Sequence, residues 1–154
     1  MNALEWSTEV PLPADKAFHK FIDDFNAWWP QEYTWSRDKL ESILIDGKIN
    51  GLCTEWGPQG FRCDWGRVIA IEVPKMLAIK WQIGFQRQPV PDPDQASDLE
   101  IRWTSLDTIT RLDLIHSHFE RHGKDGEAYR NAMASGRGWP YLLQRFKEHC
   151  QESR

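Results

Sequence analysis

An apolar stripe near the C-terminus constrains the fold of this chain more than any other feature. Trp139, Leu142, Leu143, Phe146 and Cys150 recur at i, i+3, i+4, i+7 and i+11, so they share one face of an amphipathic helix. Charged and amide side chains occupy the opposite face. Because no other long amphipathic helix follows the strands, this one is expected to cover the apolar face of the sheet that they form.

Alternating apolar and polar residues predict about seven strands. The first runs from Leu4 to Val10, and prolines stop it. The others lie between residues 40 and 115, joined mostly by short connections, which indicates an antiparallel sheet. Asn50 and Gly51 are predicted to form one hairpin turn. Residues 86–98, with three prolines and no periodicity, are predicted to form a surface loop.

One strand is predicted to run from residue 61 to residue 73, with every second side chain on its inner face. That face would carry Phe61, Cys63, Trp65, Arg67, Ile69, Ile71 and Val73. Leu77, Ile79 and Trp81 are predicted to follow on the next strand.

Two short helices are predicted between the first strand and the others. Phe18, Phe21, Ile22 and Phe25 recur at helical spacing, with a kink expected near residues 23–24. Pro30 disfavours helical geometry in the residue before it and ends the element. The resulting order of strand, two helices, six strands and helix predicts an α+β helix-grip fold. A curved antiparallel sheet would wrap around the long C-terminal helix in one domain spanning residues 1–154.

Composition excludes several classes of partner. The 154 residues carry a formal net charge of -4 and no cluster of Lys or Arg, whereas nucleic-acid binding needs a basic patch. No apolar run approaches the roughly 20 residues that cross a bilayer, and the N-terminus lacks the pattern of a secretory signal. We therefore predict a cytoplasmic protein without nucleic-acid binding or membrane insertion. The three cysteines form no CxxC pair and are expected to be thiols.

Four stretches of sequence resemble the START-like superfamily, which is also called SRPBCC and includes the birch-pollen-allergen fold. They are WWP at residues 28–30, CDWGRVIAIEVPKMLAIKWQI at 63–83, PDPDQASDLEIRW at 91–103, and HSHFERHG at 116–123 followed by GWPYLLQRF at 138–146. Within the superfamily, they are most similar to the bacterial branch named after homologues of the heat-shock-protein-ninety ATPase activator. The resemblance implies a deep cavity between the sheet and the last helix. Elsewhere in the superfamily, that cavity holds lipids, sterols, polyketides and plant hormones.

A tryptophan-rich pocket is the predicted binding site. The chain has nine tryptophans, and several fall on the faces predicted to point inward. Apolar pockets with a few polar groups are the usual sites for small molecules. Arg67 and His116 are the predicted polar anchors, although a rim position for Arg67 and a core hydrogen bond for His116 remain open. The predicted pocket residues are Trp65, Arg67, Trp81, Trp103, His116, Trp139, Leu143 and Phe146.

Catalytic and metal-binding signatures are missing. The chain contains no GxSxG, GxxxxGK[ST] or HExxH motif, and GxGxxG follows no strand, so no catalytic residue and no cofactor is predicted. His116, His118, Glu120 and His122 include residue types that bind zinc. The run lies where a strand ends and has no Cys or Asp at familiar ligand spacing, so no metal site is predicted.

Three functions follow from these features. The first is binding of a small apolar or amphipathic molecule in the pocket. The second is a cyclase or lyase in the same cavity, with His116 as the titratable group. The third is a protein-interaction module, for a chaperone or a homodimer, that would use exposed aromatic residues at positions 28, 29, 33 and 35. Because only residues 1–3 precede the first strand, a chaperone partner is not favoured.

Overall fold

A computed structural model describes residues 2–152, and its main element is one antiparallel sheet. The order of its strands is β1-β7-β6-β5-β4-β3-β2. The strands are β1 (Leu4–Val10), β2 (Ser42–Ile45), β3 (Leu52–Trp56), β4 (Arg62–Glu72), β5 (Met76–Trp81), β6 (Ser97–Leu106) and β7 (Ile109–Ser117). The predicted α+β helix-grip fold, with seven strands and a C-terminal helix, is confirmed.

Within residues 2–152, four α-helices accompany the sheet. They are α1 (Ala14–Asp23), α2 (Phe25–Trp28), α3 (Gly126–Ala134) and α4 (Trp139–Glu152). Single 3-10 turns lie at Gln31–Tyr33, Arg37–Lys39, Pro58–Gly60 and Pro93–Gln95, and a longer 3-10 segment spans Phe119–Asp125. None of the helices within residues 2–152 is long and apolar enough to cross a membrane.

The apolar stripes of α1 and α4 face the concave side of the sheet. All five stripe residues of α4 are buried, as the periodicity predicts. The helix break near residues 23–24 is also confirmed, because α1 ends at Asp23 and α2 begins at Phe25. The side chain of Arg145 on α4 donates a hydrogen bond to the carbonyl of Trp28 at 2.8 Å, which fastens the end of α2 to the C-terminal helix.

The connection between β2 and β3 differs from the prediction. It spans residues 46–51, so Asn50 and Gly51 do not form a two-residue hairpin turn. Within it, the amide of Gly51 donates to the carbonyl of Lys48 at 2.8 Å, and Asn50 adopts a left-handed φ of 65°. Asn tolerates this conformation better than most residues, which explains the turn-like sequence inside a longer connection.

Two irregularities in β4 overturn the predicted placement of Arg67. Against β3, Cys53 pairs with Gly66 but Thr54 pairs with Asp64, so Trp65 is an extra residue. An extra residue in one strand reverses the alternation beyond it. Gly66 and Val68 therefore lie on the buried side, paired with the buried Trp81 and Ile79 of β5.

Arg67 consequently lies on the outer face, opposite Lys80. Its guanidinium donates to the carbonyl of Asn50 at 3.4 Å in an exposed position. A second shift between Val68 and Ala70 restores the original phase, so that Ile71 packs against the core as predicted. Arg67 is therefore not a pocket residue, and its prediction as a polar anchor was wrong.

Candidate functional site

Three of the predicted pocket tryptophans meet in the interior. The rings of Trp65 and Trp81 lie 5.6 Å apart between centroids, and those of Trp81 and Trp139 lie 5.4 Å apart, both edge to face. The stacked ring of Phe25 lies 5.3 Å from that of Trp65. Edge-to-face and offset-stacked rings at these separations are favourable contacts. The indoles therefore pack on one another.

The remaining apolar members of the predicted pocket fill the far end of the interior. The ring of Trp103 lies 4.7 Å from that of Phe18 and 5.4 Å from that of Phe21. Phe146 packs 5.2 Å from Phe21, and Leu143 is fully buried. Helix α1 therefore occupies part of the space that was predicted to hold a ligand.

A small, partly enclosed space lies among these aromatic residues, and we call it the inner cavity. Its volume is about 20 Å³, and Trp65, Thr34 and Glu55 are among the residues that line it. The indole N–H of Trp65 is buried without a hydrogen-bond partner. A void of this size accommodates about one water molecule. The aromatic residues therefore leave less space between the sheet and the last helix than the deep cavity that the resemblance implies.

His116 is part of a buried hydrogen-bond chain. Trp139 donates its indole N–H to Nδ1 of His116 at 3.0 Å, and Nε2 of His116 lies 2.7 Å from Oγ of Ser97. An indole nitrogen can only donate, so Nδ1 is the acceptor and Nε2 carries the proton. The hydroxyl of Ser97 thus accepts from His116 and can donate onward to Nε2 of His122, 2.8 Å away.

These hydrogen bonds make His116 a structural residue. Its side chain is fully buried, both ring nitrogens are engaged, and burial holds its pKa well below the usual range. Burial also lowers the pKa of His122. An imidazole with both nitrogens bonded inside the core cannot anchor a ligand or exchange protons with one. The prediction of His116 as a ligand anchor was therefore wrong.

The other candidates for a metal site point elsewhere. Nδ1 of His118 lies 2.6 Å from the carboxylate of Asp98, which also pairs with Lys80 at 2.7 Å and Arg121 at 2.8 Å. The ammonium group of Lys80 contacts Oδ1 of this carboxylate. Because His118 turns towards this ion-pair cluster while His116 and His122 turn towards Ser97, the three imidazoles do not converge on one point.

A surface groove of about 340 Å³ lies between β5 and the segment that leads into α4. We call it the mouth groove. Its volume falls in the range of small-molecule sites, about 300 to 1,000 Å³. Its walls are mostly aromatic and apolar, with two arginines. The lining residues are Trp29, Tyr33, Trp81, Ile83, Gly84, Phe85, Arg87, Tyr129, Ala132, Met133, Ser135, Arg137, Gly138 and Leu142.

A small loop hairpin after β5 forms one wall of the mouth groove. Ile83 and Pro89 pair across its base, and the amide of Gly84 donates to the carbonyl of Gln88 at 2.8 Å. At its tip, the carbonyl of Arg87 accepts the indole N–H of Trp35 at 2.6 Å. This contact ties the hairpin to the segment after α2.

Tyr33 connects this wall to the opposite one. The guanidinium of Arg87 lies 5.3 Å from the centre of the Tyr33 ring, a cation–π geometry. The hydroxyl of Tyr33 donates to the carbonyl of Arg137 at 2.9 Å. Together with Trp29 and Ile83, Tyr33 and Arg87 line both the mouth groove and the inner cavity, so they separate the two spaces.

Tyr129 on α3 forms the floor of the mouth groove with Trp81. Its hydroxyl accepts the indole N–H of Trp81 at 2.8 Å and donates to the carbonyl of Ile83 at 2.8 Å. Burial raises its pKa, so it is a neutral phenol at physiological pH. Gly138 completes the turn into α4, where an added Cβ would lie 2.1 Å from the carbonyl oxygen of Met133. Only glycine fits this close approach.

The mouth groove differs from the predicted pocket. Of the eight predicted residues, Trp81 alone lines it, and Trp65 lines the inner cavity. Trp28 and Trp29, predicted as exposed interaction residues, are 1% and 7% exposed. The groove residues that sequence reasoning missed come mainly from loops and from α3. The sequence signals were Phe85 and Arg87 beside the predicted loop, and Trp29 and Tyr33, which were predicted to make protein contacts instead.

Comparisons with known proteins place this chain among solved structures of the same shape. No protein-family model matches it, and no curated protein does. It is 26% identical to the anthrahydroquino-Gama-pyrone synthase Txn09 complexed with SUM, over 96% of each chain, with a TM-score of 0.68. It is also 26% identical to CalC from Micromonospora echinospora, a self-sacrificing resistance protein, over 98% of this chain and 95% of that one, with a TM-score of 0.68. The Aha1 dimer from Colwellia psychrerythraea is 15% identical over 97% and 96%, with a TM-score of 0.64.

Proposed function

We propose that this chain, which is a START-like protein, binds a small apolar or amphipathic molecule in the mouth groove. The observation that carries the proposal is the groove itself, about 340 Å³ in volume and walled by aromatic side chains. Burying apolar ligand surface there contributes about 25 cal/mol per Å² before the cost of association is subtracted. The aromatic walls favour a flat ring system over a flexible chain.

Tryptophan fluorescence tests this proposal. Trp29 and Trp81 both line the mouth groove, so a ligand seated there should quench or shift their emission. We expect saturable changes on titration with flat aromatic molecules such as flavonoids, and weaker ones with fatty acids. If no compound changes the emission, and extraction of the purified protein yields no small molecule, the proposal fails.

A pair of alanines on α3 provides a matched test of location. Ala132 lines the mouth groove, whereas Ala134, two residues further on, is exposed and does not line it. Ala132→Phe should fill part of the groove and weaken binding at least tenfold. Ala134→Phe should leave the affinity unchanged. Equal affinities for the two variants would place the binding site elsewhere.

Turnover in the same groove is the second candidate function. It is favoured by the 26% identity to a synthase, Txn09, across nearly the whole chain. Since His116 is sealed in the core and the hydroxyl of Tyr129 is bonded to Trp81 and Ile83, a reaction here would depend on the placement of the substrate by the groove walls. Conversion of an aromatic polyketide that is lost in Ala132→Phe would support this function, and the absence of conversion would leave binding alone.

The likeness to the Aha1 dimer, at 15% identity, supports only the fold. A homodimer therefore remains a prediction from the sequence, which does not favour a chaperone partner. Light scattering of the purified protein would measure the oligomeric state directly.

A further inference from the structure

We infer that the ligand of the mouth groove is an aromatic anion, held by Arg87 and Arg137 while its ring lies against the aromatic walls. The inference rests on the proposed function, because it names the class of molecule that the same groove would bind. Nothing in the binding proposal itself requires the ligand to be charged.

The charge of the mouth groove is opposite to that of the chain. The chain has a formal net charge of -4, yet Arg87 and Arg137 line the groove and no aspartate or glutamate does. Glu32, whose carbonyl accepts from Arg87, and Glu55, which lines the inner cavity, are not among the residues that line the groove. Glu32 accepts from the hydroxyl of Tyr141 at 3.2 Å, and Glu55 accepts from the amide of Ser36 at 2.8 Å. The groove is therefore a local cationic site.

Both guanidinium groups have donors available. Arg87 uses one N–H to donate to the carbonyl of Glu32 at 3.2 Å, and it forms no ion pair with any residue in the described range. A guanidinium has five N–H donors, so the others face solvent. The side chain of Arg137 is exposed and has no hydrogen bond or ion pair within residues 2–152.

The backbone fixes the positions of the two arginines. The carbonyl of Arg87 accepts from Trp35, and the carbonyl of Arg137 accepts from Tyr33. Tyr33 also lies under the guanidinium of Arg87, so it contacts both residues. Guanidinium groups suit carboxylates and other planar oxyanions, and aromatic rings suit the other end of the ligand. A carboxylate, sulfonate or phenolate on a flat ring system fits both features.

Two probes with the same rings separate this inference from the proposed function. 8-Anilinonaphthalene-1-sulfonate is anionic, and N-phenyl-1-naphthylamine is the same ring system without the sulfonate. Both should bind the wild type, and both should bind Ala132→Phe more weakly. Arg87→Gln and Arg137→Gln should each weaken the sulfonate about two- to fivefold, the range for an exposed charge pair, and leave the neutral probe unchanged.

Salt and a distant arginine complete the design. Raising NaCl from about 0.1 M to about 1 M shortens the screening length from roughly 10 Å to roughly 3 Å, so only the binding of the sulfonate should weaken. Arg111→Gln is the control, because Arg111 pairs with Asp113 at 3.0 Å and does not line the groove. If both probes bind but neither arginine variant separates them, the inference is overturned and the binding function stands. If neither probe binds, both are overturned.

Discussion

Removing the hydroxyl of Ser97 is expected to destabilise the fold by about 1–3 kcal/mol, because it leaves a buried donor unpaired. Ser97 is fully buried, and its Oγ is the acceptor for Nε2 of His116 at 2.7 Å. His116 cannot adopt the other tautomer, since its Nδ1 must accept from Trp139. In Ser97→Ala the Nε2 proton therefore has no partner in the core.

Urea denaturation followed by circular dichroism measures this loss. For a chain of this length, about 1–3 kcal/mol corresponds to a fall in Tm of roughly 2–12 °C. The control is Ser105→Ala, in the same strand but exposed, which should stay within about 0.5 kcal/mol of the wild type. A loss below about 0.5 kcal/mol in Ser97→Ala would show that the hydrogen-bond chain has been assigned in the wrong direction.

Three further predictions concern stability. Burial lowers the pKa of His116 and His122 below the ordinary value of 6.5, so the unfolded chain takes up protons that the folded chain excludes. The free energy of unfolding should therefore be highest above pH 6.5 and decrease as pH falls below it, as urea titrations at several pH values would show. Glu55→Gln should cost about 1–3 kcal/mol in the same assay, because the buried carboxylate accepts two backbone N–H groups and an amide presents only one acceptor. Arg67→Gln should change stability by less than about 0.5 kcal/mol, whereas Val68→Ala should cost about 2 kcal/mol, and the reverse order would refute the outward position of Arg67.

The fold could be predicted because burial has a simple period along each regular element. On α4, the positions from Trp139 to Cys150 repeat at helical spacing, and every one of them is buried. On β7, Leu112, Leu114 and His116 alternate and are likewise buried. One layer of sheet and one long helix leave few other arrangements that cover both apolar faces.

The site could not be predicted, because no period governs the loops that form it. The hydrogen bond between the indole of Trp35 and the carbonyl of Arg87 joins residues 52 positions apart through a backbone acceptor, which any residue type could supply. Tyr129 likewise reaches the carbonyl of Ile83. Such contacts depend on loop conformation, and a propensity for polar residues only indicates that a loop is present.

The alternation argument failed at one residue in β4, and the site prediction failed with it. The predicted phase is correct at Cys63 and Trp65 and again at Ile71, so two irregularities cancel within the strand. Only the segment between them is inverted, and Arg67 lies within it. Phe61 and Val73, which were predicted to face inward, lie just outside the strand and are 39% and 54% exposed. An arginine among alternating apolar residues was the sharpest functional signal of that strand, yet a cation on the inner face would have needed a buried partner. The arginines that do line a groove, Arg87 and Arg137, are exposed, and solvent removes that cost.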